Sequence, residues 1–274
     1  MDHRLNAVCA HVYPSNSNHA AGGQHMHIVF SGDSDGVIGI SLVSTNSGFE
    51  KKFVPDFQVM KGRPILSIDV TAVSAATASS LLFAVGNTAG EVGIFLVNII
   101  QGGLVEQIYE YKPHQCGTNA LSIQRRKEEE EEEEGVGFAV ASGGDDQAIG
   151  LCVFGLDESE LRVKEAEMNI CIHREASGSA IKGISYDLDT GVIRVVGYSQ
   201  RIASFEVEVG EAETGLSLRR RGGEVISNVS DMSGMDVVGR VLCCVGDGIE
   251  FFDTGDDDDE EEEVSERASE LAKL

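Results

Sequence analysis

Histidines, carboxylates and cysteines are the groups in this chain with chemistry to offer, and their spacing decides what that chemistry would be. His25-Met26-His27 sets two imidazoles on one face of an extended segment, the start of a metal site, but no third ligand accompanies them. Asp33-Ser34-Asp35-Gly36 opens like a calcium loop. Its fifth position is Val37 and its twelfth Ser44, where a hard cation needs oxygen ligands and a bidentate glutamate, so the reading fails. Gly86-Asn87-Thr88-Ala89-Gly90 lacks the Lys-Ser/Thr ending of a phosphate loop. Asp145 and Asp146 are adjacent, which points them apart on an extended chain and suits a turn better than a shared proton. No Gly-x-Ser-x-Gly stands on a strand-to-helix turn. The residues therefore predict no catalytic set, no cofactor, no metal and no small-molecule substrate.

The elements that must carry these groups repeat. Gly137 to Phe154 is an apolar run, a Gly-Gly-Asp-Asp turn and an alternating run, which reads as a hairpin. The same pattern recurs at Ile28–Val43, Leu81–Val97, Val192–Val209 and Val241–Phe252. Matching the turn glycines Gly32, Gly86, Gly143, Gly197 and Gly246 gives spacings of 54, 57, 54 and 49 residues. Each hairpin has an alternating strand ahead of it, as in Ile65–Val70, and an outer strand near it, as in Phe53–Val59 and Leu104–Tyr109. Five four-stranded units predict an all-β repeat protein.

Net charge narrows the partners. Of the total of −25, the run Glu128–Glu134 carries −7 and residues 255–274 carry −8, which leaves −10 on the repeats. Such a body repels a phosphate backbone. Of the basic triplets, Arg125-Arg126-Lys127 is neutralised by the glutamates beside it, and Arg219-Arg220-Arg221 reads as a solvated turn. No apolar run approaches the roughly 20 residues of a membrane helix, and Met1-Asp2-His3-Arg4 does not open a signal peptide. The expected location is cytoplasmic, with the nucleus open, and no membrane contact. The six cysteines contain no Cys-x-x-Cys pair and are read as reduced core residues.

The repeats should span 27–254, with an acidic insertion at 127–135 that projects into solvent because seven like charges bury nothing. Lengthening a loop costs only about 0.6 kcal/mol per doubling. Ahead of them, 1–26 reads as one partial strand, Leu5–Val12, and a flexible loop. Behind them, 255–274 is acidic and expected to be disordered, apart from a marginal helical stripe at Val264, Ala268 and Leu271.

Four-stranded units, a histidine ahead of the inner strand (His114, His173) and a Gly-Asp turn resemble WD40 repeats of a β-propeller. The resemblance implies that His114 bonds Asp145 or Asp146, and that His173 bonds the Ser199 turn, where serine replaces an aspartate and the blade should be looser. The chain has no tryptophan; Phe154, Phe205 and Phe251 stand near its place in the repeat. From about Lys61 to Asp253, order and spacing are similar to the C-terminal propeller of the WD repeat protein six family. Its carriers are His114–Ile123 with Ala141–Ala148, His173–Ile184 with Ser199-Gln200-Arg201, and Asn228–Met232 with Val245–Glu250. That family is the non-catalytic subunit of a tRNA wobble 2′-O-ribose methyltransferase. The resemblance implies a methyltransferase as protein partner, with tRNA contact indirect or through other regions. A generic scaffold for chromatin, ubiquitin-ligase or vesicle machinery is the alternative. Five units are fewer than the seven of that family's ring, so an incomplete ring or a segment of a larger protein is expected.

Overall fold

The computed structural model describes residues 5–13, 26–44, 52–74, 80–98, 104–126, 136–157, 162–210 and 215–254. The acidic insertion, the segment after 254, and His3, His19 and His25 lie outside the described residues. Every described element is a strand, and the strands form five antiparallel sheets that make the blades of a β-propeller. Blade I runs β1 (Leu5–Tyr13), β2 (Met26–Asp33), β3 (Val37–Ser44) and β4 (Lys52–Gln58). Blade II runs β5 (Ile65–Ala72), β6 (Ser80–Asn87), β7 (Val92–Asn98) and β8 (Leu104–Tyr111). Blade III runs β9 (Thr118–Arg125), β10 (Val136–Gly144), β11 (Ile149–Asp157) and β12 (Arg162–His173). Blade IV runs β13 (Ile181–Asp187), β14 (Val192–Gly197), β15 (Arg201–Val209) and β16 (Leu216–Ile226). Among the described residues blade V comprises β17 (Gly234–Val238), β18 (Val241–Gly246) and β19 (Gly248–Asp253).

Burial follows the strand's place in its blade. Middle strands such as β6 and β10 are buried on both faces and read as unbroken apolar runs, while the inner strand β5 alternates. One apolar cluster fills each gap between neighbouring blades. Phe30, Phe83 and Phe95 join I to II, with ring centroids 5.2 and 5.3 Å apart, and Phe138 and Phe154, 5.8 Å apart, join II to III. Tyr186 and Phe205 sit between III and IV, and Leu242, Cys244 and Phe252 between IV and V. Among the described residues the clusters number four for five blades. Blade V turns Val241, Val245, Ile249 and Phe251 outward instead. Phe154 and Phe205 do take core places, at 1% exposure, but Phe251 is 66% exposed; its neighbour Phe252 packs. Strand alternation makes one of two adjacent phenylalanines face away.

Three local readings are corrected. Arg219-Arg220-Arg221 is part of β16, not a turn, because Glu206 on β15 stands opposite Arg219 and Glu208 lies diagonally from it: Arg219 bridges to both, Arg221 to Glu206, and Arg220 to Glu224. Gly197 is one residue out of step with Gly143. The residue four places before the left-handed turn position is Gly32, Gly86 and Gly143 in the first three blades but Val196 in the fourth. Cys116 lies on an exposed loop, whereas Cys152 and Cys244 are core residues whose thiols burial pushes up to about 12. The strand that begins before residue 14 is the inner strand of blade I.

Candidate functional site

Each blade is tied to the one before it at the same rim by a main-chain bond. The turn of one blade places a residue in left-handed backbone: Gly36 (φ 82°), Gly90 (81°), Gln147 (67°) and Gln200 (62°). Its carbonyl accepts from the N–H of the next blade's entry loop, at Met60 (3.2 Å), His114 (3.2 Å), Ala176 (2.9 Å) and Ser227 (2.8 Å). Close approach leaves no room at the glycines: a Cβ on Gly36 would lie 1.7 Å from the Met60 carbonyl oxygen. What differs between blades is the side chain the entry loop presents to its own turn.

In blade II, Asn87 donates to Met60 Sδ (2.9 Å) and to Glu91 (2.7 Å), and Glu91 also pairs with Arg63. In blade III the loop presents His114. Its Nδ1 lies 3.0 Å from Asp146 Oδ1, and its Nε2 lies 2.9 Å from the Ser142 hydroxyl. Asp146 also accepts from the Gln115 N–H (2.9 Å) and the Ala148 N–H (3.3 Å), and Arg174 stands 3.6 Å away. Burial would raise the Asp146 carboxyl, but the bonds from Gln115, His114 and Ala148 outweigh it and hold it below its usual range. Burial holds the His114 imidazole below its usual value, against the opposite pull of Asp146. Neutral His114 therefore donates its Nδ1–H in a hydrogen bond to the carboxylate and accepts from Ser142 at Nε2.

Serine, histidine and aspartate in this order are the members of a hydrolytic triad, and the geometry excludes that use here. His114 is 1% exposed and Ser142 is fully buried, so no substrate carbonyl reaches the hydroxyl. The cluster is a junction.

Asp145 points the other way. It accepts from Asn119 Nδ2 (2.6 Å) and pairs with Lys182 (3.3 Å), which joins blade III to IV at the surface. His173 does not occupy the place of His114. It ends β12, where it pairs with Ile149 and sets its ring 5.2 Å from Phe205; Ala176 holds the equivalent position. The Ser199 turn is met by Ser179, whose hydroxyl is 3.2 Å from the Ser199 hydroxyl and accepts from the Ser199 N–H at 3.0 Å. In blade V, Glu250 accepts from the Ser227 hydroxyl (2.6 Å), the Asn228 N–H (2.8 Å) and Asn228 Nδ2 (2.8 Å). The sequence reading gave Ser142, Ser179 and Glu250 no role, and they stand at unrelated places: on β10, in the entry loop of blade IV and on β19.

Inner strands β5, β9, β13 and β17 line a cavity of about 740 Å³. Two polar side chains of its wall are engaged by the backbone of the next blade. Asp69 accepts from the Ile123 N–H (2.8 Å), and at the matching place one blade on Ser122 accepts from the Tyr186 N–H (3.1 Å). Among the described residues no three histidine, cysteine or acidic side chains converge as a metal site would need. No protein-family model and no curated protein matches this chain.

Proposed function

We propose that the chain is a non-catalytic propeller scaffold that acts as the adaptor of a tRNA ribose methyltransferase in 2′-O-methylation of the wobble nucleotide. The observation that carries this reading is the internal engagement of the residues by which the chain resembles that family. His114, Ser142 and Asp146 bond one another at a buried junction, so what is offered to other molecules is surface. The resembling segments also fall on an entry loop and a turn in each of blades III, IV and V, reaching the inner strand in III and IV. The partner would supply S-adenosylmethionine and the chemistry. With −10 on the repeats and more beyond them, the contact favoured is with protein, in the cytoplasm, and tRNA is held by the partner.

The test is to delete the gene and measure wobble 2′-O-methylation in bulk tRNA by mass spectrometry, and to co-purify the tagged chain with a ribose methyltransferase. Loss of the modification, restored by the chain, supports the proposal. Unchanged methylation in the deletion strain rejects it.

A further inference from the structure

Blade V breaks the pattern of its neighbours in a way that defines a partner. Blades I to IV each have four strands, and blade V stops at three, so β19 carries no strand on its outer side among the described residues. An open strand edge offers a row of main-chain donors and acceptors to any extended segment that reaches it. The side chains beside the edge are apolar and exposed: Ile249 at 63% and Phe251 at 66%. Their cross-strand partners Val245 and Cys243 continue two apolar rows across β18, so a fourth strand would extend rows already begun.

Charge selects the occupant. Residues 227–254 hold five acids (Asp231, Asp236, Asp247, Glu250, Asp253) against Arg240. A second copy of the chain, with a net charge of −25, is repelled from this edge. A cationic segment is attracted to it.

We propose that blade V accepts an extended segment of a partner protein, in which apolar residues alternate with lysine or arginine, as its fourth strand along β19. The proposal rests on the scaffold reading above and specifies where and by what chemistry such a scaffold takes a partner.

The probes are a nine-residue peptide alternating lysine with valine and its counterpart with glutamate for lysine, each added to the full chain. Binding is read by fluorescence anisotropy, and its location by amide hydrogen exchange. The lysine peptide should slow exchange across 248–253 at least fivefold and bind at least tenfold more tightly than the glutamate peptide. The double variant Ile249→Ser/Phe251→Ser, whose fold is checked by unchanged exchange in blades I to IV, should weaken binding at least fivefold. A lysine peptide carrying a central proline, which lacks a ladder donor, should lose the protection even if the double variant fails to fold. Binding without protection of 248–253, equal binding of the two charge forms, or protection of that edge by self-association overturns the proposal. Those outcomes leave the methylation test untouched, because it does not depend on which surface is used.

Discussion

Replacing Asp146 with alanine should open the blade III junction, whereas the same change at Asp145 should leave it closed. Asp146 accepts from His114 Nδ1, the Gln115 N–H and the Ala148 N–H, while Asp145 holds Asn119 and Lys182 at the surface. A hydrogen bond to a charged group contributes about 1.5–3 kcal/mol, but donors that can turn to water recover most of it. Gln115 is exposed and can do so; His114, at 1% exposure, cannot. Asp146→Ala should therefore cost about 3 kcal/mol, dominated by the stranded imidazole. Asp146→Asn keeps the shape but sets an amide NH₂ against the Gln115 N–H, a donor facing a donor, for about 2 kcal/mol. Asp145→Ala should cost about 0.5 kcal/mol, as an exposed ion pair does. Urea unfolding followed by circular dichroism measures the losses, and amide exchange over 112–118 and 144–148 shows whether the opening is local. Equal losses for the two aspartates, or less than about 0.5 kcal/mol at Asp146, would refute the assignment of the junction to Asp146.

Acidification should weaken blade III in two steps. His114 titrates lower folded than unfolded, so the unfolded chain binds the extra proton and stability falls as pH drops below about 6.5, until the folded value is reached. Asp146 is also depressed, so its contribution is present above about 3.9 and is lost as pH falls through its folded value. His114→Gln should remove the first step from a stability-against-pH curve and leave the second. Gly36→Ala should cost about 3 kcal/mol or more, since it combines left-handed backbone with a Cβ 1.7 Å from a carbonyl oxygen. Gly62→Ala, at φ 69° with nothing within 4 Å, should cost only about 1–2 kcal/mol; thermal melts compare them. Phe154→Ala should lose about 3–5 kcal/mol and Phe251→Ala about 0.5 or less, measured in the same urea series.

The hairpins were legible because two independent signals agree in each: alternating or continuous apolar runs, and turn residues at a fixed interval between them. His114 and Asp146 were legible because the entry loop of blade III is short, four residues from the histidine to β9. The loop of blade IV is longer. His173 stands eight residues before β13, and the β12 pairing with Ile149 captures it while Ala176 slides into the junction. Spacing from an inner strand cannot reveal that, because a loop absorbs extra residues at little cost. The arginine triplet was misread for a related reason. Three adjacent charges have no period of their own, and only the register against Glu206 and Glu208 makes them a strand. The place of Ser142 was invisible in isolation, since a serine in an apolar run carries no mark of what lies across from it.

The bond from each left-handed turn residue to the following entry loop always runs backward, from a later N–H to an earlier carbonyl. A blade leaving the ribosome thus finds its acceptor already made and waits for nothing still to be translated. Synthesis order and assembly order coincide, and a translational pause between two blades leaves a docked intermediate that exposes only its two end blades.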